Sequence, residues 1–256
     1  MRNKLSVVII TKNEEVNIKD CLKSVAWADE IVVVDSGSED KTIEISKKFG
    51  AKLFHHSIEQ GLNFNKNFGN QKASGDWILS LDADERVTPD LAKEIQNALT
   101  QKNEFVGYQI PRQNYFLGTW IRGAGWWPNL SIRFFKKGKA KWLDGVHEVV
   151  EAKGAVSSFK HPIVHYSYRT FDDYIRKFHY YTTTLADEEM RRGRKINFLN
   201  LGWYFLLNPI QVVLRKYFLM CGWRDGLKGL FISYSAGIVV LIMAFKMWGK
   251  QLEQRK

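Results

Sequence analysis

The sequence predicts an α/β fold: a mostly parallel central sheet with flanking helices, followed by a helical C-terminal extension. Three observations predict it. Over the first hundred residues, continuous apolar runs such as LSVVIIT and EIVVVD alternate with helical patterns, the arrangement of βαβ units. Acidic residues gather where an apolar run ends, above all in Leu81-Asp82-Ala83-Asp84-Glu85. Past residue 171 the pattern becomes long helical stretches, one of them free of charge from 229 to 245.

The elements follow in order. Residues 5–11 read as a buried strand, and 14–25 as a helix with Val16, Ile18, Leu22 and Val25 on its apolar face. Residues 30–35 form a second strand, followed by Ser36-Gly37-Ser38 and a helix over about 40–49. A short strand at 52–55, a helix at 64–73 and a strand at 77–81 come next. Pro89 opens a helix that runs to Leu99, proline being suited to a first turn. From 105 to 117 and 131 to 150 the chain reads as extended and partly antiparallel, joined by the glycine-rich turn Arg122-Gly123-Ala124-Gly125-Trp126-Trp127-Pro128. A last strand covers 163–168.

A polar helix is expected from 171 to about 192, with Tyr174, Phe178, Tyr181 and Leu185 on one face and Arg191, Arg192, Arg194 and Lys195 at its end. The apolar stretch 198–219 is interrupted at Asn208-Pro209. Residues 229–245, bracketed by Lys228 and Lys246, would reach about 25 Å as a helix, the low end for a bilayer span. Helices lying in the membrane surface or against the domain are expected ahead of a true span. The division expected is 1–104, an α/β half; 105–170, the remainder of the same domain; and 171–256, a membrane-associated extension.

The net charge of +11 calls for an anionic partner: nucleic acid, acidic lipid or a phosphorylated substrate. Nucleic acid is set aside, because no recognition element interleaves basic residues. Anionic lipid fits the basic stretch 191–195, where each cation near such a surface adds about 1 kcal/mol. The nine tryptophans concentrate after residue 115 and suit sites apolar at one end and wet at the other. Cys21 and Cys221 share no metal-type spacing and read as thiols in a reducing compartment. The N-terminal Met1-Arg2-Asn3-Lys4 runs straight into a strand, so secretion is not expected.

Carboxylates cannot sit unpaired within a buried strand, so Asp82 and Asp84 belong at its end, in the crevice where open α/β sheets bind ligands. Strand alternation would turn both to one side, and two convergent carboxylates suit Mg2+ or Mn2+ holding substrate phosphates. Thr11-Lys12-Asn13-Glu14 and Asp35-Ser36-Gly37-Ser38 also follow strands, and Lys66-Asn67 lies on the preceding helix. Singly, each has a plain reading: Asn13 as a helix cap, Asp35 and Ser38 as turn and cap residues. Caps alone do not explain their appearance together with the paired aspartates.

The set LSVVIITKNEE, VVVDSGSEDKT, KNFGNQKASGDWILSLDADE and the later VHE resembles the family 2 glycosyltransferases with the GT-A fold, over about residues 5–170. Within that family the likeness is to bacterial lipopolysaccharide-core β-1,4-glucosyltransferases, through WWP, the following R.F and HYSYR.F.DY. The resemblance implies that Thr11, Asn13 and Glu14 line the nucleotide pocket, that Asp35 hydrogen-bonds uracil, and that Lys66 is the basic residue near the nucleotide. It implies Asp82 at the ribose and metal, Asp84 as the principal metal ligand, and His165 as a further one. A lone strand-end histidine also has a structural reading. A divalent cation, Mg2+ or Mn2+, would stabilise charge on the departing diphosphate.

Inverting transfer needs a base at the acceptor hydroxyl, and the resemblance implies Glu148, with Asp144 as runner-up and a surface ion pair as the alternative. His147 stands where the commoner glutamate-aspartate pair has its other member, so it orients Glu148, touches a phosphate or packs. Trp126 and Trp127 either stack on the acceptor sugar or fill a core. The expectation is an inverting, single-displacement transferase. It would move glucose from a UDP-sugar to the inner-core heptose of a lipid-linked oligosaccharide, peripherally on the cytoplasmic face of the bacterial inner membrane. Two alternatives stand beside it: a polyprenyl phosphate acceptor, and a non-catalytic nucleotide-sugar sensor.

Overall fold

The computed structural model describes residues 2–57, 61–101, 104–143 and 149–254. They fall into two compact units, Met1–Gln113 with Asn129–Tyr166, and Asn114–Pro128 with Ser167–Lys256.

The chain begins β1 (Leu5–Thr11), α1 (Glu15–Ser24), β2 (Glu30–Asp35), α2 (Thr42–Lys48), β3 (Lys52–His55), α3 (Leu62–Lys72), β4 (Trp77–Asp82), β5 (Glu85–Val87) and α4 (Pro89–Thr100). Then come β6 (Gly107–Ile110), β7 (Arg112–Phe116), β8 (Thr119–Trp120), β9 (Ser131–Lys136), β10 (Ala140–Trp142), β11 (Val150–Ala152), β12 (Val156–Ser158) and β13 (Ile163–Tyr168).

In the first unit a seven-stranded sheet has the order β12-β6-β9-β4-β1-β2-β3. The β1–β2, β1–β4, β2–β3 and β12–β6 pairs are parallel, and β9 joins β4 and β6 antiparallel. Period-two alternation gives each strand two apolar faces. Val7, Ile9, Val33, Leu79 and Leu81 face one core with Ile18, Leu22, Leu91 and Ile95 of α1 and α4. Val8, Ile10, Val32, Val34 and Ile78 face the other, with Phe54 and Phe68 against it.

Helix α3 lies close on that second face because of Gly69, where an added Cβ would meet Val8 Cγ1 at 2.4 Å and Val34 Cγ2 at 3.0 Å. Proline starts α4 behind the Thr88 cap, whose hydroxyl accepts from Leu91 N. Val16, expected on the buried face of α1, is exposed, and Asn17 and Cys21 join Ile18 and Leu22 there instead.

The register decides what shares the carboxyl edge of the sheet. Thr11 pairs with Asp35 and Ile10 with Asp82. Strand β4 ends at Asp82, and Ala83-Asp84 form the turn into β5. The strand alternation expected to align Asp82 with Asp84 therefore stops at Asp82, two residues before Asp84.

The second unit contains α5 (Phe171–Arg191), α6 (Asn208–Leu214) and α7 (Gly226–Glu253). A capping box at Thr170 and Asp173 starts α5. The interruption expected at Asn208-Pro209 is absorbed rather than breaking the helix. π-Helical turns at Trp203–Leu207 and Arg215–Leu219 flank α6, and Pro209 stands two residues past the end of the first of them, a local widening of the helix of the kind that accommodates a residue unable to donate to the preceding turn.

Candidate active site

The loops after β1 and β2 are zipped together. Asp35 is buried, and its Oδ2 accepts from the Gly37 and Ser38 amides, both at 2.9 Å, while its Oδ1 accepts from Ser38 Oγ at 2.5 Å. Ser38 Oγ in turn accepts from Asn13 N at 2.8 Å, and Asn13 Oδ1 accepts from Glu39 N at 2.8 Å. Glu14 N donates to Thr42 Oγ1 at 2.8 Å. Asn13 is thus no helix cap. It holds a left-handed backbone, φ 55°, and its amide carbonyl ties the second loop to the first. Thr11 Oγ1 is buried with no hydrogen-bond partner among the described residues, a vacancy that suits a ligand's polar atom.

Asp82 does not stand open to a cation from both oxygens. Lys66 Nζ lies 3.0 Å from its Oδ1 and Arg133 Nη2 lies 3.2 Å from its Oδ2, and both basic side chains are fully buried. Arg133 also lies 3.4 Å from Glu85 Oε1, and Glu85 Oε2 accepts from Asp82 N at 2.9 Å. Burial pushes the Glu85 carboxyl up, and the Arg133 guanidinium opposes that shift. The Trp142 indole lies under both cations, its centroid 4.4 Å from Lys66 Nζ and 5.2 Å from the Arg133 guanidinium carbon. Such a network stays buried because each charge meets an opposite one.

Asp84 faces a different neighbour. Its Oδ1 lies 3.5 Å from His165 Nε2. Strand β13 brings the histidine there by pairing His165 with Glu85, and Tyr166 N donates to Asp84 O at 3.0 Å. A carboxylate and an imidazole at this separation are a mixed oxygen–nitrogen donor pair for a divalent cation, with diphosphate and water oxygens to complete its shell. Among the described residues, no group of three or more His, Cys, Asp or Glu converges for a metal. Two protein donors suffice for a cation carried in with a diphosphate, so the residues fit.

Helix α3 also grips β10. Asn67 Oδ1 accepts from Trp142 N at 3.0 Å and its Nδ2 donates to Trp142 O at 2.8 Å, while Asn63 Nδ2 donates to Leu143 O at 2.8 Å. Asparagines four apart share one helix face, so they hold consecutive carbonyls. Leu143 N donates to Val149 O at 2.9 Å, closing the connection that contains Asp144, His147 and Glu148. Those three expected residues lie outside the described residues.

The turn with Trp126 and Trp127 belongs to the second unit. Asp225 accepts from Arg122 N at 3.0 Å and Gly123 N at 2.6 Å, and Lys216 Nζ donates to Ala124 O at 2.9 Å. Trp126 packs edge-on to Phe116, its ring centroid 6.2 Å away, and Trp127 edge-on to Trp120 at 5.2 Å.

Sequence reasoning missed Arg133, Glu85, Trp142 and Asn63. One signal was available: an arginine inside the apolar strand SIRFFK requires a buried partner.

With this geometry in hand, comparison with known proteins is decisive. The family model for glycosyl transferase family 2 matches residues 6–158. The chain belongs to that family. This family 2 glycosyltransferase is 28% identical over 251 residues to a lipopolysaccharide core biosynthesis glycosyltransferase of Rhizobium meliloti, covering 95% of this chain and 92% of that one. An uncharacterized glycosyltransferase of Rickettsia typhi is also 28% identical, over 84% of this chain and 78% of its own.

Among solved structures, the mannosyltransferase of Pyrobaculum calidifontis, in complex with GDP-Man and Mn2+, superposes with a TM-score of 0.58 at 15% identity, over 98% of this chain and 88% of that one. Glucosyl-3-phosphoglycerate synthase of Mycobacterium tuberculosis, with Mn2+, UDP and phosphoglyceric acid, gives 0.50 at 16% identity, over 76% and 80%. The fold is GT-A, as the resemblance implied, and the protein is a glycosyltransferase.

Proposed function

We propose that this family 2 glycosyltransferase moves glucose from UDP-glucose to the inner-core heptose of a lipopolysaccharide-type acceptor, inverting the anomeric centre in one displacement, peripherally on the cytoplasmic face of the inner membrane. The observation that carries the donor half is the Asp84–His165 pair at 3.5 Å, set beside an Asp82 already neutralised by Lys66 and Arg133. The acceptor half is supported by near full-length similarity to the lipopolysaccharide core enzyme of Rhizobium meliloti.

Asp84 and His165 would hold the divalent cation, Mn2+ or Mg2+. Bound there, it supplies Lewis-acid stabilisation to the departing diphosphate. Asp35 and the Thr11 hydroxyl would bind the nucleoside end, with Asn13 and Glu14 shaping that wall. Asp82 would orient the ribose, its carboxylate fixed by the two buried cations so that no side chain reorganises on binding. Glu148 would accept the proton of the attacking heptose hydroxyl, with His147 beside it.

The test is a donor panel with the purified full chain, Mn2+ and heptose-terminated core lipid, reading product mass and linkage. Transfer from UDP-glucose with a β linkage is expected. Transfer to polyprenyl phosphate that persists in Glu148→Ala would overturn the acceptor and base together, because a phosphate acceptor needs no strong base.

A further inference from the structure

The second unit exposes a large apolar surface that the proposed chemistry does not use. Phe198 and Leu199 are 92% and 93% exposed. Through α6 and its flanking turns, Trp203, Leu206, Leu207, Ile210, Leu214 and Phe218 are all exposed, recurring every three or four residues as one helical stripe. A monomer seldom leaves an apolar patch of this kind to water.

Helix α7 is long and apolar enough to cross a bilayer, but its surroundings assign it another role. From Ser235 to Ala244 it has no exposed position. Lys246, within the helix, donates to His179 O at 3.1 Å, Thr182 Oγ1 at 2.8 Å and Thr183 Oγ1 at 2.6 Å. Lys228, near its other end, donates to Leu117 O at 2.8 Å and Thr119 Oγ1 at 2.5 Å. At Gly237 an added Cβ would come 2.5 Å from Val213 Cγ2 and 2.9 Å from Pro209 O, so α6 rides directly on α7. These contacts tie both ends of α7 to the rest of its unit, while Leu227, Tyr234, Phe245 and Trp248 along it stay exposed.

The exposed apolar stripe begins just after a basic turn. Arg191 and Lys195 are exposed and form no ion pair among the described residues, while Arg192 and Arg194 are partly offset by Glu188 and Glu189. Ile196, Phe198 and Leu201 line an open cavity of about 310 Å³ with Trp248 and Leu252. Cations beside exposed aromatic and aliphatic side chains match an anionic headgroup layer over acyl chains.

We propose that residues 196–219 are the membrane-docking element, lying in the plane of an anionic lipid surface, and that α7 supports it without crossing the bilayer. The proposal rests on the reading that the enzyme works at a membrane face, and it is tested without donor or acceptor, so the two fail separately.

The experiment floats the full-length protein with vesicles of phosphatidylcholine alone or with phosphatidylglycerol. Flotation with the anionic vesicles, weakened by salt and abolished by alkaline carbonate, is expected. Phe198→Ser/Leu199→Ser and Leu206→Ser/Ile210→Ser should each lower vesicle binding at least tenfold, and Arg191→Glu/Lys195→Glu should remove the preference for anionic lipid. Unchanged affinity for UDP with Mn2+ certifies that the variants are folded. Three outcomes would overturn the proposal: carbonate-resistant retention, which marks a span; undiminished flotation of both serine variants; or a concentration-dependent dimer, abolished by those substitutions, in protein that does not float.

Discussion

Lys66 and Asp82 form an ion pair, Nζ to Oδ1 3.0 Å, in which the lysine side chain is fully buried and the aspartate 20% exposed. Their meeting depends on how closely α3 lies on the sheet, on β4 ending at the carboxylate, and on Arg133 arriving from β9 to share the charge.

Replacing Lys66 by methionine keeps the apolar stem and removes the charge. Asp82 would keep only Arg133, so a stability loss of about 1–3 kcal/mol is expected, together with weaker UDP binding. Calorimetric titration with UDP and a thermal melt check both. An unaltered dissociation constant would remove Lys66 and Asp82 from the donor site.

Asp84→Asn and His165→Ala are expected to lower Mn2+-dependent UDP affinity, roughly tenfold or more each if both are ligands. Affinity measured in chelator should move little. Equal losses with and without Mn2+ would mean the pair acts structurally.

Gly69→Ala should push α3 off the sheet face, since its Cβ would overlap Val8 and crowd Val34. Overpacking of this kind costs about 1–3 kcal/mol, and Lys66 is displaced from Asp82 with it. A variant with the wild-type melting temperature and UDP affinity would show that the helix shifts without consequence.

Asn67→Ala removes two hydrogen bonds to Trp142, about 1 kcal/mol each. Turnover is expected to fall more than donor affinity, because the clamped segment leads into the connection with Glu148. Glu148→Gln should lose at least about a hundredfold in kcat with UDP binding retained. Steady-state rates at saturating donor, paired with titration, separate the two effects.

Glu30 supplies a pH prediction away from the site. Burial pushes its carboxyl up, but Lys52 at 2.6 Å, the Ser6 hydroxyl and Ser74 N at 2.7 Å outweigh it and hold the group down at about 2. A carboxylate depressed on folding stabilises the protein above its unfolded value of 4.5 and loses that contribution as pH falls toward 2. Glu30→Gln should therefore be less stable than wild type at pH 7, and the difference should shrink in urea melts taken at successively lower pH below 4.5.

The parallel half of the fold was legible because its signals are local. Short apolar runs alternating with helical patterns read as strands covered on both faces, and the polar residues that follow them collect at one edge, which is why Thr11, Asp35 and Asp82 share it. The same logic failed at Asp84, where a turn replaced the strand whose alternation was assumed, and at Val16, whose exposed position no single-helix pattern distinguishes.

The remainder depended on contacts between residues far apart in the chain. Which cation meets Asp82 is fixed by β9 pairing with β4, fifty residues downstream, and the meeting of His165 with Asp84 by β13 pairing with β5. The clamp of Asn63 and Asn67 on β10, and the close approach of α6 to α7 at Gly237, likewise follow from packing. Periodicity reports which face of an element is apolar. Only the tertiary arrangement decides which partner covers that face, because burial and ion pairing are settled between elements and leave no mark on the local pattern.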